Sequence, residues 1–178
     1  MTINAFYELV LSSSVVGEFE RYIDQTPEYQ KIEQEYKGRI YQSCNIHRIS
    51  SEDPVARHVQ WVFKYFNEKY FNYELFDTYE IQLLKYEKSG HYDWHSDYGV
   101  SENPDGDRKL SLSVQLSDRW EYTGGEMRIR DWYNREYDMG LECGNAMVFD
   151  ARVPHKVLPV TNGTRHAVVA WAHGPRLR

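Results

Sequence analysis

The chain has 178 residues, of which 41% are hydrophobic and 15% aromatic, so it is long and apolar enough for one folded domain and unlike a disordered chain. Its formal net charge of −6 argues against nucleic-acid binding, which normally leaves a basic footprint. No apolar run approaches the roughly 18 residues of a membrane span, and the N-terminus lacks the basic and apolar regions of a signal peptide.

The N-terminal segment, residues 1–78, predicts helices and outer strands around the rest of the chain. Residues 3–11 have the length and composition of a short strand. The serine run that begins at Ser12 can cap a helix that continues to about Asp24, since a hydroxyl satisfies the first free amides of a helix. Residues 39–49 are rich in β-branched and aromatic side chains and predict a second strand.

A second helix is predicted directly after that strand. Ser51 has the hydroxyl of an N-cap, and Pro54 suits the first turn, where an amide would have no partner. Residues 55–71 then place apolar side chains at intervals near 3.6 residues. This spacing predicts an amphipathic helix that covers one face of a sheet.

From residue 79 onward, segments of strand length alternate with Gly, Asn and Pro turns. About eight such segments predict a sandwich or barrel. The clearest of them cover residues 80–87, 91–97, 109–118, 126–132, 144–151, 155–160 and 165–172. A polar loop at 101–107 is expected to form part of the rim of a site.

The two cysteines, Cys44 and Cys143, do not stand in a metal-binding spacing. We therefore expect reduced, structural thiols, as in a cytoplasmic protein.

His95 and Asp97 form a pattern that suits metal binding. On an extended backbone, residues two positions apart point to the same face, so both side chains can converge on one ion. His155 supplies a second imidazole if its strand lies beside the first. Two imidazoles and one carboxylate on one face of Fe(II) leave other positions open, and this ligand set is typical of non-haem enzymes that activate O2.

Other histidines offer alternatives to this set. His91 and Asp93 have the same spacing and the same strand parity as the favoured pair, so alternation alone does not separate the two pairs. The favoured pair lies at the end of its segment, next to the polar loop 101–107, where a site can open. His166 and His173 are rival second histidines; we expect His166 to be a partly exposed strand residue and His173 to lie in a loop.

Two motifs with fixed spacing make the pattern specific: Tyr92-x2-His95-x-Asp97 and His155-x3-Pro159-Val160-x2-Gly163-x-Arg165. Together with Arg108 and the Gly-Gly-Glu stretch 124–126, they resemble the motifs of Fe(II)/2-oxoglutarate-dependent dioxygenases, in the prolyl 4-hydroxylase-like branch. The resemblance covers about residues 79–173.

The resemblance implies a mainly β protein with flanking helices and a double-stranded β-helix (jelly-roll) core. One domain would span 1–178, with 1–78 supplying helices and outer strands and 79–178 the metal-binding core. His95, Asp97 and His155 would be the catalytic centre and bind Fe(II). The co-substrates would be 2-oxoglutarate and O2, and ascorbate is an additional candidate cofactor.

Further residues receive roles from the same resemblance. Arg165 would bind the distal carboxylate of 2-oxoglutarate, because a planar guanidinium donates two parallel hydrogen bonds. Many relatives have a Tyr where this chain has Gln115, so Gln115 and Tyr86 are both candidates for contacts to 2-oxoglutarate. Three other residues are candidates for contacts to the substrate: Tyr92, Arg108 and Trp171.

The expected function is hydroxylation of a prolyl residue in a peptide or protein. A hydroxylase of a free amino acid or small metabolite on the same scaffold is the main alternative. Oxidative demethylation of nucleic acid is disfavoured by the acidic balance and by the absence of an Arg shortly after Arg165, since the next one is Arg176. A cupin-like barrel without catalysis is disfavoured by the ligand set and Arg165 together.

Overall fold

A computed structural model describes residues 6–26, 28–77, 79–99, 106–139 and 142–176. The described chain is mainly β, which confirms the predicted fold class. Its strands in chain order are β1 Phe6–Val10, β2 Gln30–Tyr36, β3 Arg39–Ile49, β4 Tyr79–Tyr86, β5 His91–His95, β6 Gly106–Gln115, β7 Tyr122–Gly124, β8 Met127–Arg130, β9 Glu136–Asp138, β10 Asn145–Asp150, β11 His155–Val157, β12 Val160–Gly163 and β13 Arg165–Pro175. The helices are α1 Ser13–Gln25 and α2 Ala56–Phe66, and a π-helical turn, Asn67–Phe71, follows α2.

Most strands belong to one curled sheet. Its order is β1-β10-β6-β13-β4-β3-β5-β11-β8-β9, and β2 pairs with β3 at its side. A separate two-stranded sheet joins β12 and β7. All these pairs are antiparallel, so residues distant in the chain are brought into direct register.

The helices cover the outer face of the curled sheet. Phe19 of α1 and Phe63 of α2 are almost completely buried against strands β4, β6, β10 and β13. Along β13, Ala170 and Ala172 face this core, while Trp171 between them faces the interior of the curl. No helix among the described residues is both long and apolar enough to cross a membrane.

The predicted N-terminal elements are largely confirmed. The structure places β1 within the predicted strand, α1 within one residue of its predicted end, and β3 at its predicted bounds. Ser12 occupies the N-cap position of α1 with an extended backbone, but its hydroxyl contacts the hydroxyl of Ser14 at 3.0 Å instead of capping an amide. Residues 3–5 lie outside the described residues.

The predicted start of the second helix was wrong. Ser51 and Pro54 lie in turns, and α2 begins at Ala56. The carboxylate of Asp53 accepts hydrogen bonds from the Ser50 amide and the Tyr22 hydroxyl, both at 3.0 Å. These bonds close a turn before the helix can begin. At the other end, the helical path does continue to residue 71, but as a π-helical turn.

Strands β2 and β9 had no signal in the sequence, and the short strand β7 forms where the Thr-Gly-Gly sequence predicts a turn. Strand β2 forms a hairpin with β3 through Lys37 and Gly38, both of which have positive φ, as in a type I′ turn. Nearly every residue of β2 is exposed, and all of β9 is. Such strands lack the apolar alternation from which a strand is predicted.

The predicted strand 155–160 is divided in two. Its first part is β11, in the curled sheet, and its second part begins β12, in the small sheet. Pro159 lies at the break, where a residue without an amide hydrogen interrupts pairing. His173, expected in a loop, lies inside β13 and is buried. Of the polar loop 101–107, residues 101–105 lie outside the described residues.

Candidate metal centre

Three predicted ligands meet at the open end of β5 and β11. His95 is the last residue of β5, and His155 is the first residue of β11 and its direct partner across the pair. Asp97 follows two residues after His95. His95 Nε2 lies 3.7 Å from Asp97 Oδ1, and His155 Nε2 lies 3.5 Å from Asp97 Oδ2. The three side chains therefore converge on one point, with ligand atoms within 4.8 Å of one another.

Asp97 reaches this point for a reason that its spacing did not reveal. Strand β5 ends at His95, so strand alternation does not orient the carboxylate. The Asp97 amide donates to the carbonyl of Ala151 at 2.9 Å, which fixes the backbone. The Ser111 hydroxyl donates to Asp97 Oδ2 at 2.7 Å, and the Trp171 side chain lines the pocket together with this carboxylate.

Backbone carbonyls orient both imidazoles. Nδ1 of His95 lies 2.8 Å from the carbonyl oxygen of Asp93, and Nδ1 of His155 lies 3.0 Å from that of Val153. A carbonyl only accepts, so each Nδ1 carries the hydrogen and donates it. Each Nε2 then has a free lone pair directed at the convergence point, as a metal ligand requires.

Burial gives the site charges that suit a cation. Burial, and secondarily the nearby His155, lowers the pKa of His95 to about 4, so this imidazole is neutral at pH 7. Burial favours the protonated form of Asp97, but the two imidazoles and the hydrogen bonds it accepts outweigh burial and keep its pKa below the usual range. The ionised carboxylate and the imidazole nitrogens fit Fe(II). They are the one cluster of this kind in the described part of the chain.

The rival pair His91 and Asp93 is engaged elsewhere. Both ring nitrogens of His91 face carbonyl oxygens, of Ser89 at 2.9 Å and of Ile40 at 3.1 Å. The Asp93 carboxylate forms an ion pair with Arg39 at 3.0 Å. The choice of the downstream pair from its position next to a loop is thus supported by the geometry.

The rival second histidines are also remote from the convergence point. His173 is buried against Glu80, with His173 Nε2 2.9 Å from Glu80 Oε1. His166 is half-buried at the start of β13, and its amide donates to the Ser117 hydroxyl at 2.8 Å. Neither belongs to the metal-binding cluster.

Arg165 lines the same pocket as the three ligands. Its side chain is 3% exposed, and no acidic side chain of the described residues lies within ion-pair distance. Its guanidinium lies 5.4 Å from the ring centre of Tyr86, which is its direct partner on β4. A buried cation without a protein anion is costly, and a bound carboxylate would neutralise it.

Gln115 acts on Arg165. Its Oε1 accepts from Arg165 Nε at 2.9 Å, while its Nε2 donates to the Ser117 carbonyl at 2.8 Å and the Tyr122 hydroxyl at 3.0 Å. Both amide hydrogens therefore have partners, and a direct contact between Gln115 and 2-oxoglutarate stays a prediction. Tyr122 was missed by the sequence analysis, although it directly precedes the Thr-Gly-Gly-Glu stretch.

Gly125 leaves the space that Arg165 occupies. It has a φ of +69°, and a Cβ placed there would lie 2.9 Å from Val160 Cγ2 and 3.1 Å from Arg165 Cδ. A larger residue would therefore displace the guanidinium. The Gly-Gly pair of the motif thus has a local steric reason.

The candidate substrate residues lie around the metal ligands. The Tyr92 ring stacks on the imidazole of His95 with 3.5 Å between ring centres, and Trp171 lines the pocket beside Asp97. Arg108 is mostly buried, ion-paired with Glu80, and 3.8 Å from the Trp171 ring centre. A contact between Arg108 and a substrate stays a prediction.

Comparison with known proteins agrees with this geometry. A model of the 2OG-Fe(II) oxygenase superfamily matches residues 81–173, which are 93 of the 178 residues. A PKHD-type hydroxylase of Janthinobacterium sp. (strain Marseille) is 35% identical over 91 residues, which are 49% of this chain and 40% of that protein. The chain thus spans about two fifths of the length of this curated relative.

Two solved structures share the fold. A Pseudomonas putida prolyl-4-hydroxylase has a TM-score of 0.76 at 19% identity, covering 97% of this chain and 94% of that one. A prolyl hydroxylase from Trichoplax adhaerens, in complex with a hypoxia inducible factor oxygen degradation domain peptide fragment, has a TM-score of 0.74 at 18% identity, covering 95% and 83%.

The family match spans more than half of the chain and includes every ligand of the cluster. Fe(II), 2-oxoglutarate and O2 are the cofactor and co-substrates that this membership implies. The imidazole nitrogens of His95 and His155 and the carboxylate of Asp97 fit Fe(II). The buried guanidinium of Arg165 fits a carboxylate of 2-oxoglutarate. The chain belongs to the 2OG-Fe(II) oxygenase superfamily.

Proposed function

We propose that the protein is an Fe(II)- and 2-oxoglutarate-dependent hydroxylase. One observation carries the proposal: the His95, Asp97 and His155 cluster opens onto the same pocket as a buried Arg165 that lacks an acidic partner among the described residues. When bound, Fe(II) with 2-oxoglutarate and O2 supplies the oxidising power to hydroxylate an unactivated C–H bond, and the 2-oxo acid becomes succinate and CO2.

The protein's own side chains would prepare this chemistry. His95, Asp97 and His155 would hold the metal through two Nε2 atoms and one carboxylate. Arg165 would bind the distal carboxylate of 2-oxoglutarate, with Gln115 fixing its orientation through Nε. The pocket is lined mostly by apolar side chains, so it excludes water around the reacting groups.

Tyr86 is a further candidate for a contact to 2-oxoglutarate. It is 1% exposed, lines the pocket and lies under the Arg165 guanidinium. Burial raises the pKa of its phenol, so the hydroxyl keeps its proton and remains a hydrogen-bond donor at neutral pH.

The substrate is proposed to be a prolyl residue in a peptide or protein. The support is the similarity to PKHD-type and prolyl hydroxylases, one of which was solved with a peptide. Tyr92 and Trp171 form aromatic walls next to the metal ligands, which suits the apolar ring of proline. The acidic net charge supports a partner other than nucleic acid, and the cytoplasm is the proposed location.

Turnover of 2-oxoglutarate tests the reaction class. The wild-type protein with Fe(II) and ascorbate should form succinate from 2-oxoglutarate, and His95→Ala should abolish this. His91→Ala is the matched control, since it removes the histidine of the rival pair and should retain turnover. Wild-type protein that neither binds nor turns over 2-oxoglutarate would contradict the proposal.

Mass spectrometry tests the substrate class. Proline-containing peptides, free amino acids and methylated oligonucleotides are incubated with the enzyme and 2-oxoglutarate. One added oxygen on a prolyl residue, matched by succinate formed, is the expected result. Oxygen added only to a free amino acid would replace the peptide with a small metabolite and leave the reaction class intact.

A further inference from the structure

Buried polar side chains form a continuous group behind the metal ligands, on three neighbouring strands. β4, β13 and β6 lie side by side, and Glu80 and Ser111 face Trp171 from either side in the strand register. Arg108 lies opposite His173, two residues further along β13. Glu80, Ser111, Trp171 and His173 share the inner face of the curl by strand pairing and alternation, and a register shift between Ala172 and His173 brings Arg108 opposite His173.

Direct contacts join this group to a metal ligand. The Glu80 carboxylate accepts from Arg108 Nη2 on one oxygen and lies 2.9 Å from His173 Nε2 on the other. The Arg108 guanidinium lies 3.8 Å from the Trp171 ring centre. Trp171 and Asp97 line the same pocket, and Ser111, the strand partner of Trp171, donates a hydrogen bond to Asp97 Oδ2 at 2.7 Å. The contacts therefore run from Glu80 through Arg108 to Trp171, which lines the pocket together with the ligand carboxylate.

Stability alone does not account for such a group. Replacing a buried ion pair by apolar side chains is often neutral or stabilising, because desolvation offsets the attraction between the charges. Burial favours the neutral form of Glu80, but the neighbouring His173 and Arg108 outweigh it and lower its pKa to about 2. Glu80 stays ionised and fixes the plane of the guanidinium that contacts Trp171.

We propose that Glu80, Arg108 and His173 are positioning residues that hold Trp171 so that its indole orients the carboxylate of Asp97 for the metal. This inference rests on the proposed metal role of Asp97. Outer partners that orient a ligand set the affinity of a metal site, although they do not touch the metal. Arg108 would then serve the site through Trp171.

Binding of Co(II) to the metal-free protein, without 2-oxoglutarate or O2, tests the proposal. Glu80→Gln keeps the shape of the side chain and removes its charge, and we expect about tenfold or greater weakening of Co(II) binding. Glu18→Gln is the matched control. Glu18 also bridges an arginine and a histidine, Arg57 at 2.6 Å and His58 at 2.9 Å, but between α1 and α2. It should leave Co(II) binding unchanged.

A double-mutant cycle shows whether Glu80 acts through the indole. Trp171→Phe removes the indole N–H from the pocket that Asp97 lines and should itself weaken Co(II) binding. In that background, Glu80→Gln should have little further effect. An equal effect of Glu80→Gln in both backgrounds would overturn the proposal. Unchanged Co(II) binding in Glu80→Gln would also overturn it.

Arg108→Lys provides the second variant if Glu80→Gln does not fold. It keeps the positive charge beside Glu80 but loses the planar group over Trp171, so Co(II) binding should again weaken. Unaltered binding in Arg108→Lys would count against the proposal. If the wild-type protein binds no Co(II), the proposed metal site itself is contradicted. If the wild-type protein binds Co(II) and the variants bind it equally tightly, only the positioning role is contradicted.

Discussion

Arg165 brings a positive charge into an interior where no acidic side chain of the described residues neutralises it. Two neighbours shape its position: Gln115 accepts from its Nε, and Gly125 leaves room for its Cδ. The residue therefore has a fixed geometry before any ligand binds. A fixed guanidinium loses little conformational entropy when it binds a carboxylate.

Arg165→Ala should weaken binding of 2-oxoglutarate by about 2–5 kcal/mol, because a buried charge pair would lose one partner. Isothermal titration with 2-oxoglutarate and Mn(II), in the absence of O2, measures this difference. Arg119→Ala is the control, since Arg119 is 59% exposed and paired with Glu142. Equal affinities of wild type and Arg165→Ala would remove Arg165 from the site.

The imidazole of His95 gives the metal-free protein a defined pH dependence. Its pKa in the folded protein is about 4, lowered mainly by burial, whereas an unfolded chain has the ordinary value of about 6.5. Between these values the unfolded chain binds a proton that the folded protein does not. The free energy of unfolding should therefore fall as the pH decreases from 6.5 towards 4, by roughly 2–3 kcal/mol for this residue.

Urea unfolding of the metal-free protein at pH 7 and pH 4.5 measures this dependence. In His95→Gln, the free energy of unfolding should fall by less between these two pH values, since glutamine does not titrate. The same decline in wild type and His95→Gln would contradict the assignment to His95.

At the scale of elements, α2 is stabilised by the face that it presents to the sheet. Phe63 is fully buried on the face of α2 that packs against strands β4, β6 and β10, whereas Trp61, two residues earlier, is 54% exposed and stacks on Tyr65 of the same helix. The amphipathic pattern of residues 55–71 correctly predicted which face is buried.

Phe63→Ala should lower the free energy of unfolding by about 3–5 kcal/mol through the cavity it leaves. Trp61→Ala, on the same helix, should change it by about 0.5 kcal/mol or less. Chemical denaturation of both variants measures the difference. Similar losses in the two variants would contradict the packing of α2 described above.

Elements with an apolar face were predictable from the sequence, and elements without one were not. Strand β3 and helix α1 carry their own signal in residues that are later buried. Strands β2 and β9 are polar and form because a neighbour supplies the hydrogen-bonding edge. The start of α2 was misplaced because Asp53 closes a turn with Ser50 and is also bound by Tyr22, a residue of α1 that is distant in sequence.

At the scale of the molecule, the metal centre joins segments that are far apart in the chain. β5 contributes His95, the turn after it contributes Asp97, and β11 contributes His155. The ligands converge only when β5 and β11 pair, so the unfolded chain offers no equivalent site. A metal that binds only the folded state stabilises it by mass action.

Mn(II) should therefore raise the midpoint of thermal unfolding, and EDTA should reverse the change. At about 100 times the dissociation constant, the expected stabilisation is roughly 2.7 kcal/mol. Asp97→Ala should lose the Mn(II)-induced rise in the unfolding midpoint. His91→Ala should keep this rise, although it removes the contact between His91 and the Ile40 carbonyl. A shift of the same size in Asp97→Ala would place the stabilising metal elsewhere.

The sequence by itself determined the identities of the residues around the metal. The spacings between His95, Asp97, His155 and Arg165 rarely occur together by chance. These spacings can be read from the sequence without knowing any contact in the folded protein. It also predicted a β-rich core after residue 79 from local alternation. These features are properties of short segments.

Only the tertiary structure decided how those residues are oriented and what supports them. The carbonyl of Ala151 holds Asp97, Gln115 holds Arg165, and the Glu80 group lies behind Trp171. Each of these contacts joins residues at least 28 positions apart, which come together only in the folded protein. Their charges and hydrogen bonds depend on burial, and burial is created by packing between distant segments, which no local pattern in the sequence encodes.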